Sequence, residues 1–251
     1  MFNFFVDETS RQGDQFRITG SDYNHIRHAL RMQPGDTFLV SCNGASCLCK
    51  LASCDEDSVI AAILDEDYQN TELPVRFYLF QGLPKGDKLE LIIQKAVELG
   101  VAGIIPVEMS RCVMKLDEKK KKARQARWQS IAESAAKQSK RNVIPEVSDV
   151  LTYKQTMAKI REMDLFLVPY ENARGMAATR EALDRIQPGM SVGILIGPEG
   201  GFDPQEIKLA EEAGAVTVSL GKRILRAETA AVTAVAMGML HVELNLGGDE
   251  V

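Results

Sequence analysis

The spacing of apolar residues divides the chain into two parts. In the first quarter, short segments such as 47–51 alternate apolar and polar positions, which is the period of strands with one buried face. Asn43 and Gly44 separate two such segments and are typical of a tight hairpin turn. Only residues 21–32 have a helical spacing. This pattern predicts a small β-rich domain over residues 1–72.

A polar linker, residues 65–72, leads into a region where predicted strands alternate with predicted helices. This alternation predicts an α/β domain with a mainly parallel sheet and helices on both of its faces. We assign the domain to residues 73–251. The predicted strands are 75–81, 101–107, 143–147, 165–169, 192–196 and 216–220, and the predicted helices are 88–99, 117–139, 177–186, 204–213 and 228–242.

The predicted helix after Asp203 has the best-defined start in the chain. Asp203 has the side chain of an N-cap residue, Pro204 suits the first helical position and Glu206 completes a capping box. Gly214 marks the end of this helix. The loop between the strand at 192–196 and this helix is therefore well defined.

The last predicted helix is almost entirely apolar, but it is too short to cross a bilayer. Its longest uncharged stretch, residues 229–240, falls short of the roughly 20 residues that a membrane span needs. Such a helix must be covered on most sides, either at the centre of its domain or at a subunit interface. Residues 1–8 lack the basic start and long apolar run of a signal peptide. We therefore expect a cytoplasmic protein with no membrane partner.

The net charge of −5 argues against a nucleic-acid partner, whereas the distribution of charge favours one. Basic residues cluster between positions 115 and 141, mostly on a predicted helix and with few acids among them. The cluster indicates either an RNA-facing surface or a solvated helix face, and both interpretations stay open. Its members are Lys115, Lys119, Lys120, Lys121, Lys122, Arg124, Arg127, Lys137, Lys140 and Arg141.

Four of the five cysteines lie close together and raise the question of a metal site. The spacing of Cys42, Cys47, Cys49 and Cys54 lacks the C-x-x-C pairs of structural zinc sites. Cys47 and Cys49 also fall on one face of a predicted strand. We expect reduced cysteines that pack within the first domain, and no bound metal.

Two loops, each between a predicted strand and a predicted helix, are the candidate ligand sites. They are residues 197–201, with the sequence GPEGG, and residues 220–230, with the sequence LGKRILRAETA. Open parallel sheets bind ligands at the carboxyl ends of their strands, and glycines let backbone N–H groups approach a ligand closely. Neither loop binds phosphate in the manner of a P-loop, and residues 82–88 also lack the G-K-[ST] ending.

Both loops also have purely structural explanations. A glycine-rich turn is common between a strand and a helix, and Glu228 could simply cap the helix that follows the second loop. Arg226 is harder to explain in this way. It enters an apolar helix and would need a partner if it were buried.

Taken together with six further segments, these loops resemble the RsmE family of ribosomal RNA (uracil-N3) methyltransferases, which belongs to the SPOUT superfamily. One departure is that R-C-V-M-K at residues 111–115 replaces an R-S-V-V-K-like run, which puts any role of a serine hydroxyl there in doubt. The segments that carry the resemblance are 25–31 with 34–36, 81–88 with 94–101, 111–115, 127–145, 197–201 and 220–230.

The resemblance implies a PUA-like RNA-binding β-barrel over residues 1–72 and a SPOUT methyltransferase domain over residues 73–251. In this family the second domain forms a trefoil knot around S-adenosyl-L-methionine. The resemblance further implies a homodimer that methylates N3 of a specific uridine in 16S ribosomal RNA, within the small ribosomal subunit. The cofactor-binding residues that it implies are Leu195, Ile196, Gly197, Glu199, Gly200, Leu220, Gly221, Ile224, Leu225 and Arg226.

The expected chemistry depends on two residues of the second loop. N3 of neutral uracil carries a proton and is a poor nucleophile, so the uridine anion must be favoured. Our hypothesis is that Arg226 stabilises negative charge on the uracil carbonyls while Glu228 accepts the proton. The residues expected to bind RNA are His25, Arg31, Lys119, Lys120, Lys121, Lys122, Arg124, Arg127 and Arg141.

Two other classes of protein fit some of the same features. A non-catalytic ribosome-assembly factor would bind RNA through the same surfaces without transferring a methyl group. A nucleotide-dependent α/β hydrolase would use the same fold, but this sequence has no phosphate-binding loop.

Overall fold

The computed structural model describes residues 1–173 and 175–246. The chain divides into two compact units. The first comprises Met1–Glu72 and Ala136–Ile144, and the second comprises Leu73–Ala135 and Pro145–Val251. The single boundary drawn from the sequence placed residues 136–144 in the second domain, whereas the structure packs them with the first unit.

The first unit is built on a six-stranded sheet in the order β1-β4-β5-β6-β3-β2. Asn43 and Gly44 join β4 to β5 with positive φ angles of 51° and 83°, as the predicted hairpin turn requires. All neighbouring strands are antiparallel except β1 and β4. The strands are β1 (Asn3–Phe5), β2 (Arg11–Gln12), β3 (Gln15–Thr19), β4 (Thr37–Cys42), β5 (Ala45–Cys54) and β6 (Ser58–Asp65).

The helical segment of the first unit is shorter and less regular than its sequence predicts. Helix α1 (Gly20–Asn24) continues into one π-helical turn, His25–Ala29, which ends where Arg31 adopts a φ of 52°. Ile26 faces the core and is fully buried. Local spacing fixes which face of this segment is apolar, but the tight return of the chain to β4 stops the helix early.

The cysteines of the first unit contribute to its core. All five cysteines of the chain are free, and Cys47 and Cys49 are buried. Burial raises the pKa of the Cys49 thiol to about 12, so this side chain behaves as a small apolar group. Within the described residues, no group of His, Cys, Asp and Glu side chains is placed to hold a metal ion.

A buried ion pair joins the two chain segments of the first unit. The side chain of Arg141 is 4% exposed, and its Nε donates to Glu72 Oε1 at 2.8 Å while Nη2 contacts Oε2. Glu72 also accepts from the backbone N–H of Asn142 at 2.9 Å. The structure does not favour the predicted RNA contact of Arg141, because its guanidinium is buried against a carboxylate.

Removal of the Glu72 carboxylate should destabilise the first unit strongly. Glu72→Ala leaves a buried guanidinium without its bidentate acceptor, and we expect a loss of about 3 kcal/mol in the free energy of unfolding, measured by urea denaturation. Glu66→Ala is the matched control, because Glu66 pairs with Arg11 on the surface and such pairs contribute roughly 0–1 kcal/mol. Equal losses in the two variants would contradict a structural role for Arg141.

The second unit contains a seven-stranded sheet in which every pair of strands is parallel. The order is β10-β8-β7-β12-β11-β13, with β9 also paired to β8. The strands are β7 (Arg76–Gly82), β8 (Gly103–Glu108), β9 (Glu146–Val147), β10 (Leu151–Thr152), β11 (Leu165–Pro169), β12 (Ser191–Ile196) and β13 (Val216–Val218). The helices are α2 (Lys88–Glu98), α3 (Glu118–Ser139), α4 (Tyr153–Ile160), α5 (Gly175–Leu183), α6 (Pro204–Glu212) and α7 (Ala227–Asn245).

Most of the predicted elements of the second unit are present, and the capping box of α6 is confirmed. Asp203 accepts from the backbone N–H of Gln205 at 3.0 Å, and Glu206 accepts from the backbone N–H of Asp203 at 2.9 Å. Neither β10 nor α4 is predicted from the sequence. A second capping box, formed by Thr152 and Gln155, marks the start of α4 and was the available signal.

The apolar helix α7 packs against α2 and against the central strands β7 and β12. Gly238 lets it approach closely, because a Cβ atom there would lie 2.8 Å from the Phe77 ring. Leu240 and Leu244 on the same helix are exposed. No described helix is both long and apolar enough to span a lipid bilayer.

Candidate functional site

A cavity of about 500 Å³ opens at the carboxyl ends of β11, β12 and β13. Both candidate loops contribute to it, so the two segments that the sequence separates by some twenty residues form one site. The lining residues are Lys88, Pro169, Tyr170, Glu171, Ile196, Gly197, Pro198, Glu199, Gly200, Gly201, Phe202, Ser219, Leu220, Gly221, Arg223, Ile224, Leu225, Arg226, Ala227 and Ala230.

The end of β7 supports the first loop, residues 197–201. Gln81 is fully buried, and its Nε2 donates to the carbonyl oxygens of Gly82 at 2.9 Å and Gly197 at 3.4 Å. Gly82 lies directly against the loop, because a Cβ atom there would be 2.8 Å from the backbone nitrogen of Pro198. The end of β7 thus fixes the path of the loop that follows its neighbour β12.

The second loop is anchored by hydrogen bonds to α5. Thr179 is buried, donates its hydroxyl to the carbonyl oxygen of Ser219 at 3.0 Å and accepts from the Ser219 backbone N–H at 2.9 Å. The Ser219 hydroxyl accepts from the backbone N–H of Gly221 at 3.2 Å. Gly221 has a φ of 102°, which side chains rarely tolerate. The turn into the cavity therefore requires glycine at this position.

Lys88, at the start of α2, joins the two loops electrostatically. Its Nζ lies 2.8 Å from Glu199 Oε1 and 3.7 Å from Glu228 Oε2. The hydrogen bond to Glu199 raises the pKa of the Lys88 ammonium. Burial alone would raise the pKa of the Glu199 carboxyl, but hydrogen bonds from Lys88 and from the Lys85 backbone N–H outweigh it and lower that pKa. Both groups are therefore charged at neutral pH.

Arg226 and Glu228 occupy different environments at the start of α7. Arg226 is the N-cap residue, its side chain is exposed at the cavity, and it makes no ion pair within the described residues. Glu228 lies in the first helical turn, and its Oε2 is buried without a hydrogen-bond partner in the part of the chain that the structure describes. A buried acceptor of this kind is costly unless something donates to it.

Most of the predicted cofactor-binding residues line this cavity. Leu195 is the exception, since it is fully buried in β12 directly before the loop. Those that line it are Ile196, Gly197, Glu199, Gly200, Leu220, Gly221, Ile224, Leu225 and Arg226. Their roles in binding stay predictions.

Several lining residues were not among the predicted cofactor-binding residues, and the largest of them are Lys88, Tyr170, Phe202 and Arg223. Tyr170 directly follows β11, so the rule that ligands bind at the carboxyl ends of parallel strands could have found it. Lys88 lies in the first turn of α2, and no local signal points from there to the cavity. Its participation depends on how α2 packs.

Several of the residues predicted to bind RNA are already paired with acidic side chains. His25 and Arg31 are exposed on the first unit. On α3, Lys119 and Lys122 are exposed, whereas other basic residues are paired with acids. The ion pairs are Lys120 with Asp117, Lys121 with Glu108 and Glu118, Arg124 with Asp87 and Glu90, and Arg127 with Glu90.

Comparisons with known proteins decide what kind of molecule carries this site. A family model described as an RNA methyltransferase domain matches residues 71–239, and one described as an RNA methyltransferase PUA domain matches residues 18–64. Ribosomal RNA small subunit methyltransferase E of Bacillus subtilis (strain 168) is 38% identical over 257 residues, which covers 100% of both chains. The chain belongs to the ribosomal RNA small subunit methyltransferase E family.

Solved structures agree with this membership in the ribosomal RNA small subunit methyltransferase E family. The Neisseria gonorrhoeae enzyme of that name, bound to S-adenosyl methionine, is similar with a TM-score of 0.79 and 33% identity, covering 94% of this chain and 96% of that one. A putative methyltransferase of Legionella pneumophila with bound SAM gives a TM-score of 0.81 and 29% identity, covering 95% and 97%. The predicted family, the parallel α/β fold and the PUA-like first domain are thereby confirmed.

Proposed function

We propose that this protein transfers the methyl group of S-adenosyl-L-methionine to N3 of a specific uridine in 16S ribosomal RNA. The observation that carries the proposal is the single cavity that loops 197–201 and 219–226 form at the carboxyl ends of the central strands. Membership in the ribosomal RNA small subunit methyltransferase E family supports the reaction type and the RNA class. The choice of uridine N3 rests on the resemblance described for the sequence.

The residues of the cavity fit S-adenosyl-L-methionine. Its volume of about 500 Å³ lies in the usual range of about 300–1,000 Å³ for small-ligand sites. Ile196, Leu220 and Leu225 offer aliphatic walls for a flat adenine, and the glycines of both loops expose backbone N–H groups for its polar edge. When bound, the cofactor supplies an electrophilic methyl group on a sulfonium.

Arg226 is suited to stabilise the anionic form of the substrate. Uracil loses its N3 proton reluctantly, and the resulting charge spreads onto the two carbonyl oxygens beside N3. An exposed guanidinium at the cavity, with no ion pair among the described residues, can donate to one of those oxygens. Because neutral bound uridine lacks this charge, the contact strengthens as N3 loses its proton and therefore favours reaction over binding.

Glu228 is the candidate acceptor for the N3 proton. Its Oε2 has an unused acceptor site among the described residues, and its position in the first turn of α7 places it two residues from Arg226. In the proposed step the N3–H bond breaks toward Glu228, the new bond joins N3 to the methyl carbon, and the sulfur keeps the electron pair of the broken bond. The Lys88 ammonium lies 3.7 Å from the same Oε2 and helps to hold the Glu228 carboxylate in place.

The proposal also includes a role for each domain, a trefoil knot and a homodimer. Residues 1–72 would act as the RNA-binding domain and residues 73–251 as the methyltransferase domain of a cytoplasmic enzyme that acts on the small ribosomal subunit. A trefoil knot is supported by the path of residues 219–226, since β13 lies at the sheet edge whereas α7 packs on β7 and β12. A homodimer is supported by the exposed apolar side chains of Leu240 and Leu244 on α7.

Labelled methyl transfer tests the proposed function directly. The protein is incubated with labelled S-adenosyl-L-methionine and with 16S ribosomal RNA from cells that lack this enzyme, both free and as isolated small subunits. We expect one methyl group per RNA, located on N3 of one uridine by mass spectrometry of nuclease digests. Binding to the RNA without methyl transfer would instead favour a non-catalytic assembly factor, and a label on another atom would refute the N3 assignment.

A further inference from the structure

Exposed cations without acidic partners gather around the mouth of the cavity. Arg223 and Arg226 line it, Lys222 adjoins Arg223 on the same loop, and Lys85 donates its backbone N–H to Glu199 in the wall. All four side chains are exposed, and within the described residues none of them forms an ion pair. Lys222 and Arg223 both belong to the second candidate loop, and their positive charges, unpaired among the described residues, favour an anionic partner near the cavity.

The basic helix α3 is more neutral than its sequence suggests. Arg127 Nε lies 2.7 Å from Glu90 Oε1, and Arg124 Nη1 lies 3.3 Å from Asp87 Oδ1. Lys121 Nζ lies 3.0 Å from Glu118 and 3.6 Å from Glu108. A cation that already faces a carboxylate releases fewer counterions when a phosphate approaches it, and so contributes less to RNA affinity.

The cofactor does not account for all of the positive charge at the mouth. S-adenosyl-L-methionine carries one carboxylate beside two positive groups, its ammonium and its sulfonium, and it needs at most one basic partner. Lys88 is already bonded to Glu199 inside the cavity. Lys222, Arg223 and Lys85 therefore exceed what the cofactor uses, whereas an RNA strand that delivers one base to the cavity brings a phosphate on either side of that base.

We propose that Lys85, Lys222 and Arg223 bind the phosphates that flank the target nucleotide, and that the paired cations of α3 contribute little to RNA binding. This inference rests on the proposed function, since it assumes that an RNA base enters the cavity. The three residues form the mouth cluster. Lys85 lies before α2, whereas Lys222 and Arg223 lie before α7, so the cluster holds the strand from two different loops.

The salt dependence of RNA binding measures the contribution of the mouth cluster. In the double variant Lys222→Gln, Arg223→Gln, two phosphate contacts are lost. The slope of log Kobs against log salt concentration should become shallower by about 1.4, and affinity at roughly 0.1 M salt should fall by about 25-fold, since each single-strand contact releases about 0.7 counterion. The probe is unmethylated 16S ribosomal RNA, free and within isolated small subunits. Lys85→Gln should lower the slope by about half as much.

A matched double variant on α3 provides the comparison. Arg124→Gln, Arg127→Gln removes the same number of charges, and we expect its slope to stay within about 0.5 of the wild type because these charges are already paired. Thermal unfolding checks that both doubles are folded. Lys121→Gln, which loses a cation paired with Glu118, repeats the comparison with one residue if the α3 double is unstable.

Four outcomes test this proposal and the proposed function on which it rests. Unchanged RNA affinity in the Lys222→Gln, Arg223→Gln variant would overturn the proposed role of the mouth cluster. Methyl transfer by the wild-type protein would then still support the proposed function. A loss of S-adenosyl-L-methionine affinity with unchanged RNA affinity would also overturn the role in RNA binding and assign the cluster to the cofactor. An equal loss in the α3 double would show that RNA lies along the helix. Absence of methyl transfer by the wild-type protein would instead refute the proposed function.

Discussion

Replacing Arg226 with alanine should reduce methyl transfer by about 10²- to 10³-fold while leaving the affinity for S-adenosyl-L-methionine largely unchanged, because a donor to a developing oxyanion contributes mainly in the transition state. The loss should appear in kcat in single-turnover assays with saturating RNA. The fold should be unaffected. Arg226 is the N-cap residue of α7, but its side chain makes no capping hydrogen bond.

Two further variants sharpen the interpretation. Arg226→Lys keeps the charge but loses the planar pair of donors, so we expect an intermediate rate. Arg185→Ala removes an exposed arginine that lies before β12, away from the carboxyl ends of the strands, and should retain full activity. If Arg226→Ala weakened cofactor binding as much as it slowed transfer, Arg226 would be a cofactor-binding residue and the anion hypothesis would fail.

The second large effect is expected from Gly82→Ala, which introduces a methyl group between β7 and the first loop. The new Cβ atom would lie 2.7 Å from Met109 Sδ and from Pro198 Cδ, and 2.8 Å from the Pro198 backbone nitrogen. Met109 is flexible, but the backbone at Pro198 can yield only if the loop moves. A displacement of about 1 Å in a group that positions a reactant can cost about 10²-fold in rate. We expect weaker cofactor binding by calorimetry and a comparable loss of methyl transfer.

Gly103→Ala is the control for this substitution. Gly103 also lies in a central parallel strand, and the nearest atoms to its Cβ atom would be those of the half-buried Tyr78 side chain, at 3.1 Å, rather than a backbone nitrogen at 2.8 Å. This variant should lose some stability and keep its cofactor affinity. Should Gly82→Ala bind the cofactor as well as Gly103→Ala does, the close packing of β7 against Pro198 would not be what positions the loop.

Local signals were sufficient for most of the secondary structure. The β11 strand begins and ends where the sequence predicts, and the capping box at Asp203 defines the start of α6. These features depend on residues within a few positions of one another, and hydrophobic period and helix capping report such contacts directly. The missed helix α4 had a comparable signal at Thr152 and Gln155, but its short, weakly apolar face did not reveal it.

Electrostatic roles were predicted less well. Arg141 and Arg127 both belong to a basic run in the sequence, yet one is buried against Glu72 and the other lies against Glu90 on a different helix. Their acidic partners are far away along the chain, so counting charges in a window cannot tell a paired cation from a free one. Arg223 had the weaker sequence signal, yet it is exposed and lines the cavity.

The sequence by itself determined the family, the α/β class and the two loops that form the cavity. Each of these can be recognised from residue types at short, fixed spacings, without knowledge of how the chain packs. Only the tertiary structure decided that Lys88 joins Glu199 to Glu228, that Gly82 and Gln81 support the first loop, and that the second loop crosses from the edge strand β13 to α7 over the central strands. These features depend on contacts between residues distant in the chain, whose distances and ion pairs exist only once the sheet has assembled.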